Sequence, residues 1–132
     1  MYLRSVLVML LTLAGLAGCG GETLIDHSRD PQAFAEDVRK LVAVSVAEAR
    51  SSSEPADAMF SLVDLLEELD QHPTGSHRDL YEQLQALAGE IYQESEQAGG
   101  PPAGLEQRLD QLWALAEPLP GEATPENMGP GD

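Results

Sequence analysis

The chain has only one cysteine, Cys19, so no disulfide can form within it and folding must rest on a hydrophobic core. Basic residues are also scarce, because 7 Lys and Arg stand against 23 Asp and Glu, for a formal net charge of −16. Such a surface repels nucleic-acid phosphates and anionic lipid headgroups, so we expect no nucleic-acid partner. It would attract basic partners or cations, although charge alone identifies no ligand.

Sequence patterns that carry enzymatic or cofactor chemistry are missing. There is no Cys-x-x-Cys-His for haem attachment and no Glu-x-x-His of the kind that di-iron bundles use. Residues 51–53 are three serines without the surroundings of a nucleophile elbow, and Gly99 and Gly100 lack a phosphate-binding pattern. We therefore predict that the protein is not an enzyme and carries no cofactor.

Histidine occurs only three times. His27 precedes the first predicted helix, whereas His72 and His77 flank a loop that has Asp70 and Asp79 near it in sequence. One hypothesis is a metal site where the two imidazoles and a carboxylate converge. The alternative is that the dipole of a helix C-terminus favours His72 and that His77 is a solvated first-turn residue. Since no third soft ligand is present, we predict no metal site and retain His72 and His77 as candidates for the alternative.

A long apolar run occurs at the N-terminus. Arg4 supplies one positive charge, residues 5–15 are apolar, and small residues then lead to Cys19. The run is shorter than the ~20 residues of a membrane-spanning helix and has the layout of a secretory signal. Two alternatives are an ordinary cleavage site with Cys19 incidental to it, and a segment that remains as an uncleaved helix.

The stretch Leu16-Ala17-Gly18-Cys19 resembles the lipobox of bacterial lipoprotein precursors, and this resemblance covers residues 1–19 only. It implies that residues 1–18 are removed and that acyl chains such as palmitate are attached to Cys19. A single acyl chain binds a membrane only marginally, so durable anchoring needs more than one. The resemblance implies a location outside the cytoplasm and, with Gly20 after the cysteine in a Gram-negative host, the periplasmic face of the outer membrane.

The remainder of the chain predicts four amphipathic helices of roughly 15–21 residues, because apolar residues recur at spacings of three and four. Asp30 and Pro31 are expected to open the first helix, Ser53 to cap the second, and Ser76 with Asp79 to form a capping box on the third. The apolar positions are Phe34, Val38, Leu41, Val42, Ser45 and Ala49, then Met59, Leu62, Val63, Leu66 and Leu69, then Leu80, Leu84, Leu87 and Ile91, and finally Leu105, Leu109, Leu112, Trp113 and Ala116.

Two local alternatives stay open at this point. Val42, Val44 and Val46 alternate with small residues, which is also typical of a strand, although length and the many alanines favour a helix. Gly89 lies inside the third predicted helix and costs about 1 kcal/mol relative to alanine, so it could mark a close contact with another helix.

The predicted organisation is a signal peptide at 1–18, a lipidated Cys19 with a flexible tether at 19–29, a helical domain at 30–117 and a disordered tail at 118–132. Short connections favour an all-α fold, a small antiparallel up-down four-helix bundle. Helical hairpins that dimerise are the alternative.

The predicted function is that of an acidic lipoprotein anchored outside the cytoplasm, a structural or adaptor module that contacts another envelope protein non-covalently. The alternative is a periplasmic metal-binding module that uses His72 and His77. Phe60, Tyr81, Tyr92 and Trp113 flank the apolar stripes, where aromatic residues form either a core edge or a groove for a partner. A polar residue at Phe60 or Trp113 is expected to abolish partner binding without unfolding the protein.

Overall fold

The computed structural model describes residues 30–128, which contain four α-helices and no strand. The helices are α1 at Pro31–Ser51, α2 at Pro55–Glu67, α3 at Arg78–Ala98 and α4 at Leu105–Ala116. Three 3₁₀ turns lie at Leu69–Gln71, Gly75–His77 and Pro125–Asn127. The all-α prediction is confirmed, and the strand alternative near Val44 is wrong because that residue lies within α1.

Other predictions fall outside the described residues. These are the signal peptide at 1–18, the lipidation of Cys19, the tether at 19–29 and the last residues of the tail at 129–132. Among the helices of residues 30–128, none is both long and apolar enough to cross a membrane.

The helix starts agree with the sequence in one case out of three. Asp30 caps α1 as predicted, since its Oδ1 accepts a hydrogen bond from the backbone N–H of Gln32 at 2.9 Å. Ser53 does not cap α2, because the helix starts after Glu54, which makes no side-chain cap. Ser76 forms no capping box, because it lies inside the 3₁₀ turn that leads directly into α3.

One helix, α3, is terminated by a glycine. Gly99 adopts a left-handed conformation with φ of 67° after the last residue of α3, where a side chain would be strained. By contrast, α2 ends at Glu67, before Leu69, the last apolar position assigned to the second predicted helix, because a 3₁₀ turn follows it. Helix α2, with 13 residues, and helix α4, with 12, are both shorter than the 15–21 residues expected from the sequence.

Each helix packs on two others, so that α1 contacts α2 and α4 while α3 also contacts α2 and α4. The side chains between them form one hydrophobic core, which removes apolar surface from water and supplies the main driving force for folding. Its largest fully buried members are Tyr81, Met59, Leu62, Leu66, Leu84, Ile91, Leu109, Leu112, Val38, Val42 and Val46.

Two expectations about the third helix are corrected by this packing. Tyr81 does not lie at a core edge, because it is fully buried and its ring meets that of Phe34 edge to face at 5.3 Å. Gly89 marks no close helix contact, because a Cβ built on it would have no neighbour within 4 Å.

The predicted disorder of residues 118–132 is wrong for residues 118–128. Leu119 and Pro125 are buried, and the 3₁₀ turn Pro125–Asn127 packs against α1. Thr124 caps that turn with a reciprocal capping box, in which its Oγ1 accepts a hydrogen bond from the N–H of Asn127. This segment is held in place by hydrogen bonds from Arg39 of α1, which cannot be read from the composition of residues 118–132.

Candidate functional site: an acidic aromatic surface on α2 and α3

The two histidines of the metal hypothesis pack against aromatic rings. His72 stacks on Phe34 with ring centres 4.8 Å apart and planes 11° from parallel, and its Nε2 is buried without a hydrogen-bond partner. His77 lies 6.0 Å from the ring centre of Tyr81. Within residues 30–128, no group of three or more His, Cys, Asp or Glu side chains is close enough to hold a metal ion.

Trp113 is half-buried and acts as a packing platform. The guanidinium carbon of Arg39 lies 5.0 Å from the centre of its ring, which is within the range of a cation–π interaction. Trp113 also packs against the apolar core of the four helices. These contacts give Trp113 a structural role, so a polar residue there would disturb folding as well as any binding.

Phe60 is the large hydrophobic side chain that the described residues leave exposed, with 57% of its surface accessible. Its ring centre lies 6.4 Å from that of Tyr92, with the planes tilted by 49°. Phe60 comes from α2 and Tyr92 from α3, so the pair bridges two helices at the surface. We call these two residues the aromatic pair.

Carboxylates surround the aromatic pair. The pKa of Tyr92 is raised above its usual value, mainly because the hydroxyl hydrogen-bonds to Glu96, with smaller contributions from the charges of Asp57 and Glu67. Glu96 lies one turn after Tyr92 on α3, and Asp57 and Glu67 lie one turn before and two turns after Phe60 on α2. We call the aromatic pair together with these three carboxylates the acidic aromatic surface.

A cavity of about 170 Å³ adjoins this surface. It lies where the first turn of α2 meets the last turn of α3, and we call it the acidic cavity. Its lining residues are Glu54, Ala56, Asp57, Ser95, Glu96, Gly99 and Gly100.

Two groups in the acidic cavity carry signs of unfavourable placement. The pKa of Glu54 is raised above its usual value because its side chain hydrogen-bonds to Asp57, whose negative charge adds to the effect. Ser95 is only 2% exposed and its Oγ has no hydrogen-bond partner. A buried hydroxyl without a partner costs free energy, so both groups would gain from a bound donor.

Within residues 30–128, no salt bridge joins the carboxylates of this region to a basic side chain. Three arginines of the described part of the chain form salt bridges, and each binds two carboxylates elsewhere. None of these salt bridges involves Glu54, Asp57, Glu67 or Glu96. The pairs are Arg50 with Glu106 and Asp110, Arg78 with Asp70 and Glu82, and Arg108 with Glu90 and Glu94.

A larger cavity of about 630 Å³ lies between α1 and the segment that follows α4. Its wall includes Lys40 beside Glu36 and Asp37, so a basic side chain is already present among its acidic residues. The acidic cavity therefore differs in having carboxylates on its wall and no lysine or arginine.

The sequence contained part of the signal for this site. The position of Phe60 beside the apolar stripe was visible from helical periodicity, and so was that of Tyr92. The acidic cavity was missed because Glu54 and Glu96 are 42 positions apart and meet only when α2 packs on α3. A scan of protein-family models, a search of curated proteins and a search of solved structures found no match to this chain.

Proposed function

We propose that the protein is a lipoprotein anchored outside the cytoplasm, a structural or adaptor module that binds another envelope protein through non-covalent contacts. The anchor rests on the lipobox resemblance, with lipid on Cys19. The binding role rests chiefly on one observation, the exposure of Phe60 beside Tyr92 at the surface. Aromatic residues are enriched in protein–protein interfaces, so the exposed Phe60 beside Tyr92 is the surface feature of the described residues that best fits such a contact.

We infer that the four helices form an antiparallel up-down bundle within one chain, rather than hairpins that need a dimer. Contacts between opposite helix ends support this arrangement. The start of α2 and the end of α3 line the same cavity. Arg50, in the last turn of α1, pairs with Glu106 in the first turn of α4. Such a bundle is a rigid support for a surface residue such as Phe60.

Phe60 is a better candidate than Trp113 for the partner contact. Its exposure means that a polar replacement removes little buried apolar area, so the fold should persist. Trp113 has Arg39 stacked over its ring and lies against the core, so its replacement would combine two effects. The expectation from the sequence that either residue would serve equally is therefore narrowed to Phe60.

The structure gives less support to a metal-binding module at His72 and His77 than the sequence alone did. The Nε2 of His72 is buried, and its ring is stacked on Phe34, so that nitrogen would need a rearrangement to reach an ion. No observation favours this function over the binding role.

A photocrosslinking experiment tests the proposal in the native membrane. A photoreactive phenylalanine analogue at position 60 should form a crosslink to a specific second protein in host cells, whereas the same analogue at the exposed α1 position Glu36 should not. Phe60→Ser should lose the partner during mild detergent extraction while keeping its helical circular dichroism.

The anchor has its own readout in the same material. Intact mass spectrometry of the extracted protein should show acyl chains on Cys19, and Cys19→Ser should abolish them. A protein that crosslinks to no partner from position 60 would contradict the binding role and leave the anchor unaffected.

A further inference from the structure

We propose that the acidic cavity binds a lysine or arginine side chain from a basic segment of the partner, while the aromatic pair takes the apolar part of the same segment. This proposal rests on the binding role proposed above and specifies the chemistry of the partner. It is carried by the shape of the cavity, its charges and one buried hydroxyl.

Acidic residues from two helices line the cavity. Glu54 and Asp57 come from the start of α2, and Glu96 comes from the end of α3. The C-terminal end of a helix adds partial negative charge, because its last carbonyl groups lack partners within the helix. The N-terminal end of α2 lies at the same cavity and contributes the opposite partial charge, so the attraction for a cation comes from the carboxylates.

Ser95 supplies an observation that does not depend on charge. It forms part of the cavity wall, and only 2% of its surface is exposed. Its Oγ has no hydrogen-bond partner. This oxygen is closed to solvent, as the Nε2 of His72 is, so the N–H of an incoming guanidinium or ammonium group would reach and satisfy this hydroxyl only after the serine side chain turns toward the cavity. The protein alone leaves this group unsatisfied.

The size of the cavity favours an extended cation over a metal ion. At about 170 Å³ it is several times larger than the ~30 Å³ that one water occupies in the liquid. Within residues 30–128, no three acidic or histidine groups converge closely enough to hold an ion. Hydrogen-bond acceptors spread around a larger space fit a guanidinium fork, which donates through five N–H groups, or a flexible ammonium.

Charge complementarity identifies the partner segment as basic. Arg50, Arg78 and Arg108 each pair with carboxylates other than Glu54, Asp57, Glu67 and Glu96. The carboxylates around Phe60 and Tyr92 are left without such a counter-charge in the described chain. Phe60 and Tyr92 can in addition stack on a guanidinium or cover an alkyl stem.

The test uses the full lipidated chain in a neutral detergent micelle and titrates it with N-acetyl-arginine methylamide. Backbone NMR should show shifts concentrated at Gly99 and Gly100, which line the cavity, and no comparable shift at Glu126. The uncharged citrulline analogue of the probe is the matched ligand control. Shifts spread over the whole acidic surface, or equal binding of the citrulline analogue, would overturn the proposal.

Three variants sharpen the result. Glu54→Gln combined with Glu96→Gln should weaken binding of the probe at least about tenfold, because two charge-assisted contacts are removed together. Ser95→Ala, which removes the hydroxyl without adding volume, should weaken it about threefold. Glu126→Gln removes an exposed carboxylate elsewhere and should change it less than about twofold. Binding that survives the double substitution in a protein with unchanged circular dichroism would overturn the proposal.

Crosslinking from position 60 separates the two proposals. If the crosslink persists while the probe does not bind and the double substitution has no effect on partner recovery, the basic segment is wrong and the binding role stands. If the crosslink is absent as well, both are wrong.

Discussion

The guanidinium of Arg39 lies 5.0 Å from the centre of the Trp113 ring and is almost wholly removed from solvent. From that position it donates hydrogen bonds to three backbone carbonyls beyond α4. Its Nε donates to Ala123 at 2.9 Å, and its Nη1 donates to Leu119 at 3.0 Å and to Glu117. One side chain of α1 thus holds the segment that follows α4 against the bundle.

Arg39→Lys is expected to lower the free energy of unfolding by about 2–4 kcal/mol. The change keeps the positive charge but loses the planar fork, so some of the three carbonyls would remain buried without donors. Chemical denaturation measures the loss. Hydrogen exchange should also show that the backbone N–H of Asn127, bonded to Thr124, loses protection.

Lys40→Met provides the control for Arg39→Lys. Lys40 is the neighbouring residue of α1 and is exposed, so its loss should change stability by less than about 0.5 kcal/mol. If Arg39→Lys behaves like this control, the role assigned to the guanidinium is wrong.

How well a feature could be predicted from the sequence depends on how far apart in the chain the interacting residues lie. Local patterns were sufficient for the helices, because spacings of three and four place Leu84 and Ile91 on one face without knowledge of the fold. The order of residues 118–128 was missed because its proline and glycine content is typical of disorder, whereas the groups that hold it come from Arg39 on another helix. The full burial of Tyr81 was missed for the same reason, because it depends on packing against residues of another helix such as Phe34.

Two glycines should respond in opposite directions to alanine. Gly75 has φ of +56°, and a Cβ there would approach the Cβ of Pro31 to 2.9 Å, so Gly75→Ala should cost about 1–2 kcal/mol or more. Gly89 lies inside α3 with open space around it, so Gly89→Ala should add about 0.5–1 kcal/mol to the free energy of unfolding. Urea denaturation of both variants checks the pair. A loss at Gly89 would mean that a neighbour does approach that position.

Tyr81→Phe is expected to leave the free energy of unfolding unchanged or to raise it by up to about 1 kcal/mol. The hydroxyl of Tyr81 is buried without a hydrogen-bond partner, so its removal sacrifices no bond and relieves a desolvation cost. Thermal and chemical unfolding measure the difference. A loss larger than about 1 kcal/mol would show that the hydroxyl has a bound partner in solution.

The same tyrosine should be visible in an alkaline titration. Burial raises the pKa of Tyr81 from its usual 10.0 to about 12. Because the folded pKa lies above the unfolded one, ionisation of Tyr81 opposes folding, so the stability of the protein is unaffected by this group below about pH 10 and falls as the pH rises toward about 12. The ultraviolet absorbance of phenolate should show a late step in the native protein that Tyr81→Phe lacks. Its absence from the native titration would contradict the burial.

Glu54→Gln is expected to stabilise the protein at about pH 7 and to have a smaller effect at about pH 3. Hydrogen bonding to Asp57, followed by the repulsion between the two carboxylates, raises the pKa of Glu54 above its ordinary value of 4.5. A group whose pKa is raised on folding contributes most below its unfolded pKa, and that contribution is lost as the pH rises through the folded pKa. Glutamine keeps the shape and a hydrogen-bond donor toward Asp57 without the second negative charge. Melting temperatures at the two pH values measure the effect, with Glu126→Gln as the control for a generally lower net charge. Equal gains for both variants would attribute the effect to overall charge instead of the contact between Glu54 and Asp57.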